Sequence, residues 1–148
     1  MFESKESLIP EVRSVSRKVD YDKGTHHRAL LGFIIISMDL VMEENIFRLC
    51  PEGVGPSITR LKTHNDCNVT KLAEQIDGMA EAASMLQPQA RPGVVCYACT
   101  SGSIVIGEDR VREEITRGAP WAKPATLVTG AVNALRRVNA HKIVVATP

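Results

Sequence analysis

The sequence has few aromatic residues, no excess of either charge and no long apolar run. Only 4% of its 148 residues are aromatic, and 18 basic side chains nearly balance 17 acidic ones, which leaves a formal net charge of +1. So small a net charge produces no strong field that would steer the protein toward nucleic acid or an anionic membrane. No apolar stretch approaches the ~20 residues that a membrane-spanning helix needs. We therefore expect neither nucleic acid nor a membrane as a partner.

The first 27 residues lack the features of a targeting signal. They mix basic and acidic side chains without the apolar stretch of a secretory signal, and a mitochondrial transit peptide is poor in acidic residues. We predict a polar, mobile leader over residues 1–27, an α/β domain over residues 28–148 and a cytoplasmic location. In a reducing cytosol Cys50, Cys67, Cys96 and Cys99 are expected to be buried small residues, metal ligands or catalysts, and not disulfides.

Short β-branched runs alternate with longer stretches of helical periodicity. Such alternation predicts a parallel sheet with right-handed crossovers, here a four-stranded, doubly wound α/β domain of the flavodoxin-like kind. The second strand is polar and is typical of a sheet edge, and no helix follows the last strand. This incomplete cover suggests a missing continuation of the chain or a homo-oligomer. The predicted strands are residues 29–37, 57–62, 93–98 and 142–147, and the predicted helices are residues 39–50, 68–86, 104–117 and 124–139.

Ligands of an open parallel sheet bind beyond the carboxyl ends of its strands, which are here residues 37–39, 99–103 and 147–148. The middle segment has the clearest chemistry, because the Cys99 thiol precedes Thr100, Ser101 and Gly102 where a helix begins. A helix start attracts anions and favours the thiolate form of a cysteine. A carboxylate held there by hydroxyl and amide groups would place its α-carbon near the sulfur. The alternative is a purely structural cysteine in an ordinary strand-to-helix turn.

Other interpretations of these residues differ in how well the spacing supports them. A phosphatase loop requires arginine six residues after the cysteine, but that position is Val105. A zinc site could combine Cys96 and Cys99 with His64 and Cys67, although strand residues three apart point to opposite faces.

Histidines and an aspartate outside the cysteine segment also allow more than one interpretation. His26, His27 and His141 are expected to be solvated, and residues 63–68 are expected to form a loop or a lid. Asp39 either caps the first helix or reaches a substrate from the end of the first strand.

The segment Cys-Thr-Ser-Gly-Ser at residues 99–103, followed by Ile-Val-Ile-Gly-Glu, resembles the aspartate/glutamate racemase superfamily. Within it, the sequence is similar to the arylmalonate decarboxylase and maleate isomerase group, and most similar to the ectoine-utilisation branch. Further similarities are Ser37-Met38-Asp39 with Glu43 or Glu44 just after it, and the stretches 123–127 and 142–148. The resemblance extends over about residues 28–148.

The resemblance implies an enzyme of two pseudo-symmetric α/β domains that acts on a small carboxylate without a cofactor or metal. Each domain supplies one cysteine, and one cysteine removes a proton that the other returns. Cys99 would be the first of them, with Thr100 and Ser101 holding the carboxylate, and in the isomerases it can instead act as a nucleophile. Family members are much longer, and the second cysteine would lie in a domain that this chain does not contain. The chain is therefore expected to be the amino-terminal half of such an enzyme.

Two other functions remain open from the sequence. The hydroxyl-rich turn could serve a non-catalytic module that binds a phosphate or carboxylate, because no second cysteine motif is present. A flavodoxin-like mononucleotide domain is the third possibility, but its phosphate loop would follow the first strand, where Ser-Met-Asp-Leu contains no glycine.

Overall fold

The computed structural model describes residues 14–86 and 90–146. Of the predicted leader, residues 1–13 lie outside the described residues, and residues 14–27 are exposed and form neither helix nor strand. The predicted strand-end residues 147 and 148 also lie outside the described part.

A four-stranded sheet with helices on both faces confirms the predicted α/β fold class. The strand order is β2-β1-β3-β4 and every neighbouring pair is parallel, so the second strand lies at an edge, as its polar sequence indicates. The strands are β1 (Ala29–Ile36), β2 (Val54–Leu61), β3 (Val94–Tyr97) and β4 (Lys123–Thr126). The helices are α1 (Met42–Leu49), α2 (Val69–Glu74), α3 (Met79–Ser84), α4 (Thr100–Ile106), α5 (Glu108–Gly118) and α6 (Leu127–Arg137), with a 3-10 turn over Gln75–Gly78.

The fourth strand is not the segment that the sequence indicates. Residues 142–146 form no strand, and Val144 and Val145 are 97% and 72% exposed. The fourth strand is β4, at the start of the predicted last helix, and α6 follows it. Pro124 is typical of a helix start, but a proline also fits an edge strand whose N–H side is unpaired. Pairing with β3, in which Val94 lies opposite Lys123, stabilises the strand despite its weak β propensity.

Two predicted helices are each divided in two. The long helix after Asn68 narrows to the 3-10 turn Gln75–Gly78, where a Cβ on Gly78 would lie 2.9 Å from Leu61 of β2. The next predicted helix breaks at Gly107, whose φ of 90° belongs to the left-handed region that glycine tolerates. Both breaks lie at glycines, which are weak helix formers.

The sheet separates two apolar clusters. On one face, Ile34, Val95 and Tyr97 pack against residues of the 3-10 turn, α3 and α5. On the other face, Ile35 and Ala98 pack with Ile46 of α1. The first cluster is much larger, and α6 contributes no buried residue to either. The cysteine loop after β3 is therefore anchored mainly from the face that α3 and α5 cover.

A carboxylate joins the start of α5 to the start of α6. Glu108 accepts hydrogen bonds from the hydroxyls of Thr126 and Thr129, and from the Thr129 amide at 3.1 Å. Arg112 donates to the Thr129 hydroxyl at 2.6 Å and lies 3.9 Å from the Glu108 carboxylate. The hydroxyl of Thr126, then that of Thr129, lowers the pKa of Glu108 from its ordinary value of 4.5.

We expect Glu108→Gln to lower the free energy of unfolding at pH 7. Because the folded state depresses the pKa of Glu108, its contribution is present above the unfolded value near 4.5 and is lost as the pH falls below it. Urea unfolding at pH 7 and at pH 3 measures this contribution. The difference in unfolding free energy between wild type and variant should be smaller at pH 3 than at pH 7. Glu113→Gln, at an exposed position of the same helix, is the control. An equal difference at both pH values would contradict the assignment.

Candidate active site

Cys99 lies at the carboxyl end of β3, directly before the first residue of α4. Its half-buried side chain caps this helix, since the Gly102 amide donates to Sγ over 3.3 Å. The Ser103 hydroxyl donates to the Cys99 carbonyl oxygen at 2.7 Å. Both contacts fix the thiol at the edge of the sheet where ligands of parallel α/β folds bind.

A buried tyrosine and a glutamine pack against the cysteine loop on the side of the larger apolar cluster. The hydroxyl of Tyr97, two residues before Cys99 and on the same face of the strand, donates to Oε1 of Gln75. Burial, and then the nearby Cys99 side chain, raises the pKa of Tyr97 well above its ordinary range, so the phenol stays neutral. A Cβ on Gly102 would overlap the Tyr97 hydroxyl and lie 3.1 Å from Gln75 Oε1. Gly102 therefore allows the first turn of α4 to approach this pair.

The Cys99 side chain faces a cavity of about 130 Å³. Ser101 of α4, Ile36 of β1 and Met38 of the turn after β1 line the same cavity, and the rest of its wall comes from the segment that follows β2. A small organic acid can therefore meet the thiol, a hydroxyl and several ionisable groups in one place. The remaining lining residues are His64, Asp66, Cys67, Lys71, Leu72 and Gln75.

The structure brings together some of the residues that the sequence indicates and separates others. Cys99 and Ser101 line the cavity, and Gly102 contacts the Cys99 sulfur through its amide, whereas Thr100 lines an apolar groove between the sheet and α6. The Ser37 hydroxyl is 2.9 Å from that of Thr63 and accepts from the Thr63 amide, so it ties the ends of β1 and β2 together.

Asp39 lies outside the cavity lining. Its carboxylate accepts from the Val41 and Met42 amides at 2.9 and 2.7 Å, and it therefore stabilises the beginning of α1. The backbone oxygen of Asp39 also accepts from Arg60 at 2.9 Å, and Arg60 forms an ion pair with Glu43 at 3.1 Å. These contacts order the turn after β1.

An ionic cluster in α2 and the loop before it was not found from the sequence. Glu74 accepts two hydrogen bonds from Lys71, at 2.8 and 3.1 Å, and lies 3.5 Å from Nε2 of His64. The hydrogen bond from Lys71 is the main cause that lowers the pKa of Glu74. Because β2 is parallel to β1 and β3, the loop after its carboxyl end lies at the same end of the strands as Cys99. The rule that ligands bind beyond the carboxyl ends of parallel strands could therefore have indicated His64. No pattern along the chain indicates Gln75, which the 3-10 turn positions.

The two cysteines of the Cys-x-x-Cys segment point to different sides of the sheet. Cys96 lines the apolar groove beside α6, and burial raises its pKa to about 11. Cys99 lines the cavity on the other side. Within residues 14–86 and 90–146, no group of three or more His, Cys, Asp or Glu side chains is arranged to hold a metal ion. No helix in the described part of the chain is long and apolar enough to cross a bilayer.

Solved structures that share this fold include maleate isomerases. The maleate isomerase Iso from Pseudomonas putida S16 is 20% identical with a TM-score of 0.58, and the match covers 75% of this chain and 50% of that one. A Nocardia farcinica maleate cis-trans isomerase, a cysteine-to-serine mutant with a covalently bound succinylcysteine intermediate, is 20% identical with a TM-score of 0.61, and the match covers 75% and 49%. The chain thus spans about half the length of these structures. No protein-family model and no curated protein matches it.

Proposed function

We propose that this chain is a cofactor-independent isomerase or racemase domain that acts at the carbon next to a carboxylate of a small acid. Cys99 is the reactive group, and Ser101 with the amides of the cysteine loop binds the carboxylate. The Thr100 hydroxyl lies on the other side of the sheet and is left out of this site. A role in ectoine breakdown rests on the sequence resemblance alone.

The observation that carries the proposal is the position of the Cys99 thiol. It lies at the carboxyl end of a central strand, it is held by a backbone amide, and it faces a cavity that a small acid can enter. The fold is shared with enzymes named for maleate isomerisation, and one of those structures contains a succinylated cysteine. A cysteine with a purely structural role has no reason to line a cavity, beside a hydroxyl and ionisable groups, at the carboxyl ends of the strands.

The proposed chemistry on an unsaturated dicarboxylate needs no redox partner. The Cys99 thiolate adds to one carbon of the double bond, so that a C–S bond forms and the π electrons move into an enediolate. Hydrogen bonds to the carboxylate stabilise that charge. Rotation about the new single bond, followed by release of the thiolate, returns the electrons and gives the trans acid. On a saturated acid, the same thiolate instead removes the α-proton.

Proton NMR in deuterated water tests the proposed function. The chain is incubated with maleate and, separately, with aspartate, glutamate and N-acetyldiaminobutyrate. We expect either conversion of the cis to the trans acid or loss of an α-proton signal, and either result identifies the substrate class. Binding of these acids without conversion or exchange would instead favour the carboxylate-binding module. Neither binding nor exchange with any acid would contradict the proposal.

A further inference from the structure

A histidine on the loop after β2 is a candidate to accept the Cys99 proton. His64 lines the same cavity as Cys99, and its side chain is 58% exposed. Its Nε2 atom is directed at the Glu74 carboxylate 3.5 Å away. The Cys99 thiol and the His64 imidazole thus line one cavity, and the imidazole in turn meets a carboxylate of α2.

We propose that His64 is the base that converts Cys99 to its thiolate and that Glu74 positions the ring of His64. This inference rests on the proposed role of Cys99 as the reactive thiol. The proton moves from Cys99 Sγ to Nδ1 of His64, the ring nitrogen that does not face Glu74. The products are a thiolate and an imidazolium, and the imidazolium is stabilised by the Glu74 carboxylate.

Lys71 is less well placed to be this base. Its ammonium group donates two hydrogen bonds to Glu74 and is itself a cation, so it has no lone pair to receive a proton. Its contacts hold the Glu74 carboxylate in place, and the low pKa of Glu74 keeps this group charged. Lys71 therefore acts as a support of Glu74.

Other charged groups surround His64, and each is part of its electrostatic environment. Asp66 and Cys67 lie on its own loop and face the Cys99 cavity. His64 also lines a second cavity, whose other charged groups come from β2, from the residue after β2, from the 3-10 turn and from α3. The groups lining this second cavity are Arg60, Lys62, Asp77 and Glu81. Tyr97 faces Cys99 from β3 and remains neutral.

The test is the rate at which iodoacetamide alkylates Cys99 in the full chain, read from the Cys99 peptide by mass spectrometry. This reaction needs no substrate, so its result does not depend on turnover. At pH 7 we expect His64→Gln to slow the alkylation about tenfold or more, because general bases contribute on the order of 10² or more. At pH 10 an ordinary thiol is ionised without help, so the rates of wild type and variant should converge.

Two further variants distinguish a role of His64 as a base from a purely structural role of this residue. Glu74→Gln should slow the alkylation less than His64→Gln, and the double variant should be no slower than His64→Gln alone, because Glu74 acts through His64. His141→Gln, at an exposed histidine outside the cavity, is the matched control and should react like wild type. Thermal unfolding should be unchanged, since both His64 and Glu74 are substantially exposed.

The outcomes distinguish failure of this inference from failure of the proposed function. If wild type and His64→Gln are alkylated at equal rates at pH 7, the role of His64 is overturned. If Cys99 in these folded chains is still alkylated faster than in urea-unfolded chain, Cys99 remains a reactive thiol. A uniform slowing at both pH values would indicate altered access and would also overturn the role of His64. If Cys99 in the folded wild type reacts no faster than in unfolded chain, both the inference and the proposed function are wrong.

Discussion

Replacing Cys99 with alanine is expected to abolish the isomerase or racemase activity that we propose for the chain. The thiol is the only nucleophile or base that the proposed chemistry uses on the substrate carbon, and removal of such a group lowers kcat by a factor on the order of 10⁴ or more. Because the side chain is half-buried and packs only at the margin of the larger apolar cluster, the variant should fold. Conversion of maleate, or exchange of an α-proton, measured by NMR provides the rate.

Cys50→Ala is the matched control for this prediction. Cys50 packs beside the smaller apolar cluster near α1, on the face of the sheet opposite to the Cys99 cavity. Its replacement should leave the rate close to that of wild type. Activity that survives in Cys99→Ala, or that is lost equally in Cys50→Ala, would show that the reactive group lies elsewhere.

Gly102→Ala is expected to damage both stability and activity. The new Cβ would overlap the buried Tyr97 hydroxyl and lie 3.0 Å from the ring carbon Cζ, so that either the tyrosine or the first turn of α4 must move. Overpacking of this kind costs about 1–3 kcal/mol of unfolding free energy. Because Gly102 also binds Sγ through its amide, a shift of this turn displaces the thiol. A displacement near 1 Å can cost about 10²-fold in rate.

Urea unfolding and the NMR rate assay measure the two effects of Gly102→Ala. Gly130→Ala is the matched control, because a Cβ on Gly130 would have no atom within 4 Å and the position lies within α6. Alanine there should raise the unfolding free energy by about 0.5–1 kcal/mol. A Gly102→Ala variant as stable and as active as wild type would contradict the packing described for the cysteine loop.

Sequence patterns predicted the fold class because buried parallel strands are rich in apolar residues. The run before Ser37 and the run before Cys99 both form central strands, as expected. The fourth strand was assigned wrongly, because the Lys123–Thr126 segment has weak β propensity and forms a strand only through pairing with β3. The apolar residues 143–146 have the stronger local β propensity, but local propensity does not provide a pairing partner.

The candidate site was predictable only where it follows the end of one strand. The position of Cys99 follows from the strand that precedes it and from the helix that begins after it. The supporting pair Tyr97 and Gln75 joins residues 22 positions apart, and such a contact depends on how the chain folds. His64 belongs to a loop without periodicity, and its position at the same cavity as Cys99 follows from the parallel pairing of β1 with β2 and β3.

Protection of Cys99 by a small acid tests the central claim most directly. The full chain is alkylated with iodoacetamide in the presence and absence of maleate, and the labelled peptides of Cys99 and Cys50 are compared by mass spectrometry. If a carboxylate binds in the cavity before the thiol, maleate should slow the labelling of Cys99 in a saturable manner and leave Cys50 unchanged. Labelling of Cys99 that is indifferent to maleate and to the other acids of the panel would contradict a carboxylate site at this cysteine.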